Sequence, residues 1–144
     1  MLKKIILSFT FIFTTFISFS QNWITSINEA KEIASKDGKK IVLVFQGSDW
    51  CAPCIKLDVE IWSTEEFKSY AAKNFVMLKA DFPRKKKNEL SPEQQKQNNK
   101  LMEKYNTKGY FPFVVVLDKD ANVLGKTGYK KTTPKNYISL LSSL

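Results

Sequence analysis

Cys51 and Cys54 are the only two cysteines in the 144 residues, and they stand three positions apart in the run Trp50-Cys51-Ala52-Pro53-Cys54. Two thiols at that spacing on the opening turn of a helix can close a disulfide across one turn. The first of them sits where unpaired N–H groups and the helix dipole favour negative charge. Cys51 is therefore the expected thiolate. Pro53 suits this turn, because its missing N–H has no intrahelical partner there and its fixed φ holds the geometry between the sulfurs. Ala52 and Pro53 together shape a turn for opening and closing a small ring, which is the chemistry of thiol–disulfide exchange.

A Cys-x-x-Cys pair can also be half of a metal site. A structural zinc takes four ligands, usually a second such pair or histidines. The chain has no further cysteine and no histidine, so carboxylates would have to complete the set and no metal is expected. A purely structural bridge is also a poor account, since closing so short a loop constrains little of the unfolded chain.

The elements around the pair can be read from periodicity. Ile41-Val42-Leu43-Val44-Phe45 is a continuous, mostly β-branched apolar run, the pattern of a central strand covered on both faces. It would deliver Cys51 at its carboxyl end, where open α/β sheets place their sites. Ahead of it, Ser26-Ile27-Asn28-Glu29 is a capping box, and a helix is predicted over 27–37, stopped by Gly38. Behind the cysteines a helix carrying Ile55, Leu57, Val59, Ile61 and Trp62 is predicted to break near Trp62 and Ser63, where Ser63-Thr64-Glu65-Glu66 opens another. Phe75 to Leu78 with Ala80 reads as a strand, 83–90 as a polar connection, and Ser91-Pro92 as the start of a helix over 92–105 with Leu101, Met102 and Tyr105 inside. Phe113 to Leu117 and Asn122 to Lys126 flank a hairpin turn, and Thr133-Pro134 opens a last helix whose Tyr137, Leu140, Leu141 and Leu144 pack inward. The predicted order is α-β-α-α-β-α-β-β-α, one compact α/β unit.

With the W-C-x-P-C run and a second landmark, Gly109-Tyr110-Phe111-Pro112-Phe113, about sixty residues downstream, the chain resembles the thioredoxin-like superfamily. The resemblance implies a thioredoxin fold, with a central mixed β-sheet flanked by helices, and covers 21–144. It implies that Pro112 is a cis-proline facing the dithiol, and that Trp50, Phe111 and Pro112 form the surface on which a substrate strand docks. It also implies a thiol-disulfide oxidoreductase acting on protein disulfides, with Cys51 as nucleophile and Cys54 as resolver. The redox group is then the Cys51–Cys54 disulfide, without a separate cofactor. Cytosolic thioredoxins carry a buried aspartate six residues before the first cysteine; here that position is Phe45. Asp49, Asp58, Glu60 or water are the candidates to take the proton from Cys54.

Residues 1–20 are a different object. Lys3 and Lys4 precede an apolar, Phe-rich run from Ile5 to Phe19, and small Ser18 and Ser20 sit where a signal peptidase reads, so a signal peptide cleaved between Ser20 and Gln21 is expected. A retained anchor would call for about twenty predominantly apolar residues. Export to the periplasm follows, with membrane contact only through the segment before cleavage. The net charge of +9 falls to +7 once Lys3 and Lys4 leave, because the first twenty residues hold no acid. Arg84-Lys85-Lys86-Lys87 is read as a solvated loop, and nucleic acid is not expected, since no aromatic ladder accompanies the run.

The direction of electron flow rests on Ala52-Pro53, a pair resembling that of reductive thioredoxins. A reductase is expected, fed by a membrane-bound electron donor, as no dinucleotide fingerprint is present. The alternatives are a disulfide oxidase or isomerase, and a non-catalytic module that holds clients on the same groove.

Overall fold

The computed structural model describes residues 20–144. The signal peptide expected over 1–20 lies, but for Ser20, outside the described residues. Five strands form one mixed sheet: β1 (Trp23–Ile24), β2 (Lys40–Gln46), β3 (Phe75–Asp81), β4 (Phe113–Leu117) and β5 (Val123–Thr127), in the order β1-β3-β2-β4-β5. β2 runs parallel to β3 and antiparallel to β4, and β5 closes the far edge against β4.

The alternation along β2 builds the two layers. Ile41, Leu43 and Phe45 face one core with Ala30 and Ala34 of α1 (Ile27–Asp37) and Leu101 and Tyr105 of α4 (Pro92–Tyr105). Val42 and Val44 face the other, made with Leu57 of α2 (Ala52–Leu57), Phe67 and Ala71 of α3 (Glu65–Asn74) and Tyr137 and Leu141 of α5 (Pro134–Ser143). A strand buried on both faces needs apolar residues at every position, which is why β2 reads as an unbroken run.

Several expectations are corrected. β1 was not anticipated; two residues are too few to show a period, and its strand character comes from pairing with Met77 and Leu78. α2 does not continue as an α-helix to Trp62, because Asp58–Trp62 widens into a π-turn in which the Ser63 N–H donates to the Asp58 carbonyl at 2.8 Å. The extra residue in that turn lets both Ile61 and Trp62 reach the core. Thr64, rather than Ser63, caps α3, accepting from the Phe67 N–H. On α5, Ile138 is buried and Leu140 only partly so. Among the described residues no helix is long and apolar enough to cross a membrane.

The topology fixes where the site lies. Parallel β2 and β3 end side by side, so the segments that follow Gln46 and Asp81 leave the sheet together. β4 enters at the same edge, with Phe113 opposite Phe45, which places Pro112 at the end of β2 that leads to Cys51.

Candidate active site

Cys51 is the N-cap of α2, with extended backbone at φ −90° and ψ 100°, and the Cys54 N–H donates to its Sγ at 3.3 Å. Pro53 lies in the first turn of that helix, as its locked φ allows. Cys51 and Cys54 are joined as a disulfide, with their Cα atoms 5.2 Å apart. The Cys51 N–H donates to the Gly47 carbonyl at 2.9 Å, which folds 47–51 into a tight turn between β2 and α2. On reduction, the Cys54 N–H that now meets Cys51 Sγ is a ready donor to a thiolate there, and the helix end adds its partial positive charge.

A latch joins this turn to the segment after β3. The Asp81 carboxylate accepts from the Ser48 N–H at 2.9 Å and the Ser48 hydroxyl at 2.6 Å. In return, the Asp49 carboxylate accepts from the Arg84 and Lys85 N–H groups at 2.9 and 3.0 Å and from the Asn88 side chain at 2.9 Å. These donors hold the Asp49 carboxyl below its ordinary value, the Arg84 backbone bond contributing most. Trp50 completes the latch: its indole N–H donates to the Phe82 carbonyl at 2.7 Å, and the Arg84 guanidinium lies 3.7 Å above its ring. The indole packs so closely on Gly47 that a Cβ there would fall inside it.

Phe111 meets Trp50 and Phe82 edge-on, with ring centroids 5.3 and 5.6 Å away, and the Phe111–Pro112 peptide bond is cis. Trp50, Phe82, Arg84, Met102 and Phe111 line an open groove of about 450 Å³ beside the dithiol turn.

The candidate proton acceptors are all engaged away from the sulfurs. Asp49 serves the 84–88 segment as described. Asp58 is exposed and accepts from the Ser63 hydroxyl at 3.2 Å, and Glu60 accepts from the Tyr129 hydroxyl at 2.8 Å. Phe45 sits in the core against Phe113. Among the described residues, no carboxylate hydrogen-bonds to Cys54, and no three His, Cys, Asp or Glu side chains group as a metal site would require.

A family model described as Thioredoxin-like matches residues 22–119. The chain belongs to the thioredoxin-like family. It is 36% identical over 118 residues to the disulfide bond reductase DsbH of Chlamydia pneumoniae, covering 82% of this chain and 69% of that protein. A solved structure titled DsbH oxidoreductase superposes with a TM-score of 0.80 at 34% identity, covering 90% of this chain and 88% of that one. The solution structure of a thioredoxin from Thermus thermophilus shares the fold, with a TM-score of 0.63 at 17% identity and 86% of each chain covered. With its cysteine pair in the family's position, this thioredoxin-like chain is a thiol-disulfide oxidoreductase whose redox group is the disulfide itself.

Sequence reasoning missed the latch. Ser48, Asp81, Phe82 and Arg84 lie more than thirty positions apart in two groups, and no local pattern joins them. It also missed Asn98, which is buried in α4, donates to the Asp81 carbonyl at 2.8 Å and accepts from the Gln94 side chain at 2.8 Å. The one available signal was an Asn in line with Leu101 and Tyr105 on the helix's inner face. In the segment behind the cysteines, Ile55 and Val59 are exposed.

Proposed function

We propose that this protein is an exported reductase of protein disulfides. The observation that carries the reading is the Cys54 N–H aimed at Cys51 Sγ on the first turn of α2, which favours a reactive thiolate at Cys51. The reduced enzyme begins with Cys51 as thiolate and Cys54 as thiol. Cys51 Sγ attacks one sulfur of a client disulfide; a Cys51–client bond forms, the client S–S bond breaks, and the second client sulfur leaves as a thiolate. The Cys54 thiol then gives up its proton and attacks Cys51 Sγ. The enzyme disulfide forms, the mixed disulfide breaks, and the client departs with both sulfurs reduced.

Two electrons have passed to the client, and a membrane-bound thiol donor must return them. With Asp49, Asp58 and Glu60 committed elsewhere, the Cys54 proton goes to water or to the client thiolate freed in the first step, whose affinity for protons matches that of a thiol. Trp50 and Phe111 hold the client strand in the groove they line, and the backbone at Pro112, next to Phe111, pairs with it. The likeness to a protein named a disulfide bond reductase and the Ala52-Pro53 pair both favour reduction over oxidation. Residues 1–20 are the export leader in this reading, removed before Gln21.

The test replaces Cys54 by Ser in the exporting host. Client proteins should accumulate as mixed disulfides on Cys51, and the mature chain should begin at Gln21 by mass spectrometry. An equilibrium potential near about −270 mV fits a reductase, whereas about −120 to −180 mV would make it an oxidase or isomerase.

A further inference from the structure

We propose that Arg84-Lys85-Lys86-Lys87 is a recognition rim that selects clients whose target disulfide is flanked by acidic side chains. The inference rests on the reading of the site as one that exchanges disulfides with protein clients, and it assigns a substrate class to that site.

The sequence alone makes this run a solvated loop. The structure bolts it to the dithiol turn: both oxygens of Asp49 hold its backbone at Arg84 and Lys85, the Phe82 N–H donates to the Gln46 carbonyl at 2.9 Å, and Trp50 joins the Phe82 carbonyl. Arg84 thereby lines the groove itself, and Lys85 and Lys86 line an adjoining cleft that shares Pro83, Arg84 and Gln95 with it, with Lys87 next in the chain. None of the four forms an ion pair among the described residues, although Lys85 lies near enough to Asp49 to help hold its carboxyl down. The Asp49 carboxylate is turned to backbone amides and the Asn88 side chain, and Asp81 to Ser48. Glu89 is the one carboxylate within 83–90, and among the described residues none of the ion pairs includes Arg84, Lys85, Lys86, Lys87 or Glu89. All four cationic residues are exposed.

The groove offers two chemistries side by side. Trp50, Phe82 and Phe111 supply an apolar wall for a client strand. The Arg84 guanidinium carbon lies 3.7 Å over the Trp50 ring, and an exposed guanidinium keeps N–H donors for a carboxylate. A strand lying on the wall would carry flanking side chains over the rim, where acids gain and bases are repelled. The basic balance of the whole chain adds long-range attraction for an acidic partner.

The experiment uses the reduced mature chain and three peptides, each with one internal disulfide and identical except for acidic, neutral or basic flanks; the enzyme dithiol supplies the two electrons. Single-turnover reduction should be about tenfold faster for the acidic than for the neutral peptide and slowest for the basic one. Raising salt from about 20 to about 200 mM should shrink that preference. The Lys85→Glu/Lys86→Glu/Lys87→Glu variant should lose the preference while reducing uncharged hydroxyethyl disulfide at the wild-type rate. Equal rates for all three peptides at low salt in the wild type would overturn the rim. So would a variant that keeps the preference and loses only binding to anionic phospholipid vesicles, which would make the rim a membrane contact. Failure of the wild type to reduce hydroxyethyl disulfide would instead strike the oxidoreductase reading, which keeps the two ideas separable.

Discussion

The Arg84 guanidinium lies 3.7 Å above the Trp50 indole, so a residue following β3 is seated on the residue that precedes Cys51. The opposite constraint on Trp50 is Gly47, where there is no room for a Cβ. Gly47→Ala should therefore push the indole off its site, breaking the bond to Phe82 and the Arg84 stack together. The expected cost is about 1–3 kcal/mol of stability, typical of overpacking. Urea unfolding followed by far-UV circular dichroism measures it, with a shift in tryptophan emission alongside. An unchanged midpoint and spectrum would mean that the turn adapts freely.

Asp49 carries a pH signature. Its carboxyl is held below the ordinary 3.8, the Arg84 backbone bond first among the causes. A group whose folded value is depressed stabilises the fold fully above its unfolded value, and that contribution is lost as pH falls through the lower folded value. The latch should thus be intact from neutral pH down to about the ordinary carboxylate value and loosen below it. Hydrogen exchange should show the Arg84 and Lys85 amides protected at neutral pH in the wild type and exposed in Asp49→Ala. Equal protection in the two proteins would show that other contacts hold the segment.

The Cys54 N–H to Cys51 Sγ contact makes a prediction about acidity. In the reduced protein, the pH dependence of alkylation should place the Cys51 midpoint below the ordinary thiol value of about 8.5, because the Cys54 N–H and the helix end favour the thiolate. Cys51→Ser should abolish turnover. A midpoint at or above that ordinary value removes the physical basis for Cys51 as attacking group.

Asp58 should be dispensable for the chemistry, since its carboxylate is exposed and bonded to Ser63. Asp58→Asn is expected to leave the rate of mixed-disulfide resolution within about twofold, well short of the loss of 10² or more that removing a positioned proton carrier brings. Stopped-flow resolution of a trapped fluorescent mixed disulfide distinguishes the two cases.

Asn98 ties α4 to the end of β3 at the residue that also holds Ser48. Asn98→Ala strands the Asp81 carbonyl in a buried setting, at a cost of about 1–3 kcal/mol. Denaturant midpoints for wild type and variant provide the comparison. A difference under about 0.5 kcal/mol would show that the carbonyl finds another partner.

Much of this molecule was already legible along the chain. The β2 run, the caps at Ser26 and Ser91, Thr133-Pro134 and the break after Trp62 are local signals, set by side-chain period and by which residues satisfy a helix end. The dithiol is of the same kind, because three-residue spacing and a helix start suffice to bring two sulfurs together. Where local reading failed, a neighbour distant in sequence was the cause: β1 is a strand only because β3 lies beside it.

What the sequence determined by itself was the redox pair, its helix and the α/β order, since each depends on contacts within a turn or a strand. Only the tertiary structure decided what surrounds the sulfurs. The parallel pairing of β2 with β3 brings Asp49 to Arg84 and Trp50 to Phe82, and so ties the segment after β3 to the dithiol turn, places Arg84 on the groove and engages the Asp49 carboxylate. Hydrogen bonds across more than thirty residues exist only once the two strand ends have been set side by side, and no spacing in the linear chain encodes them.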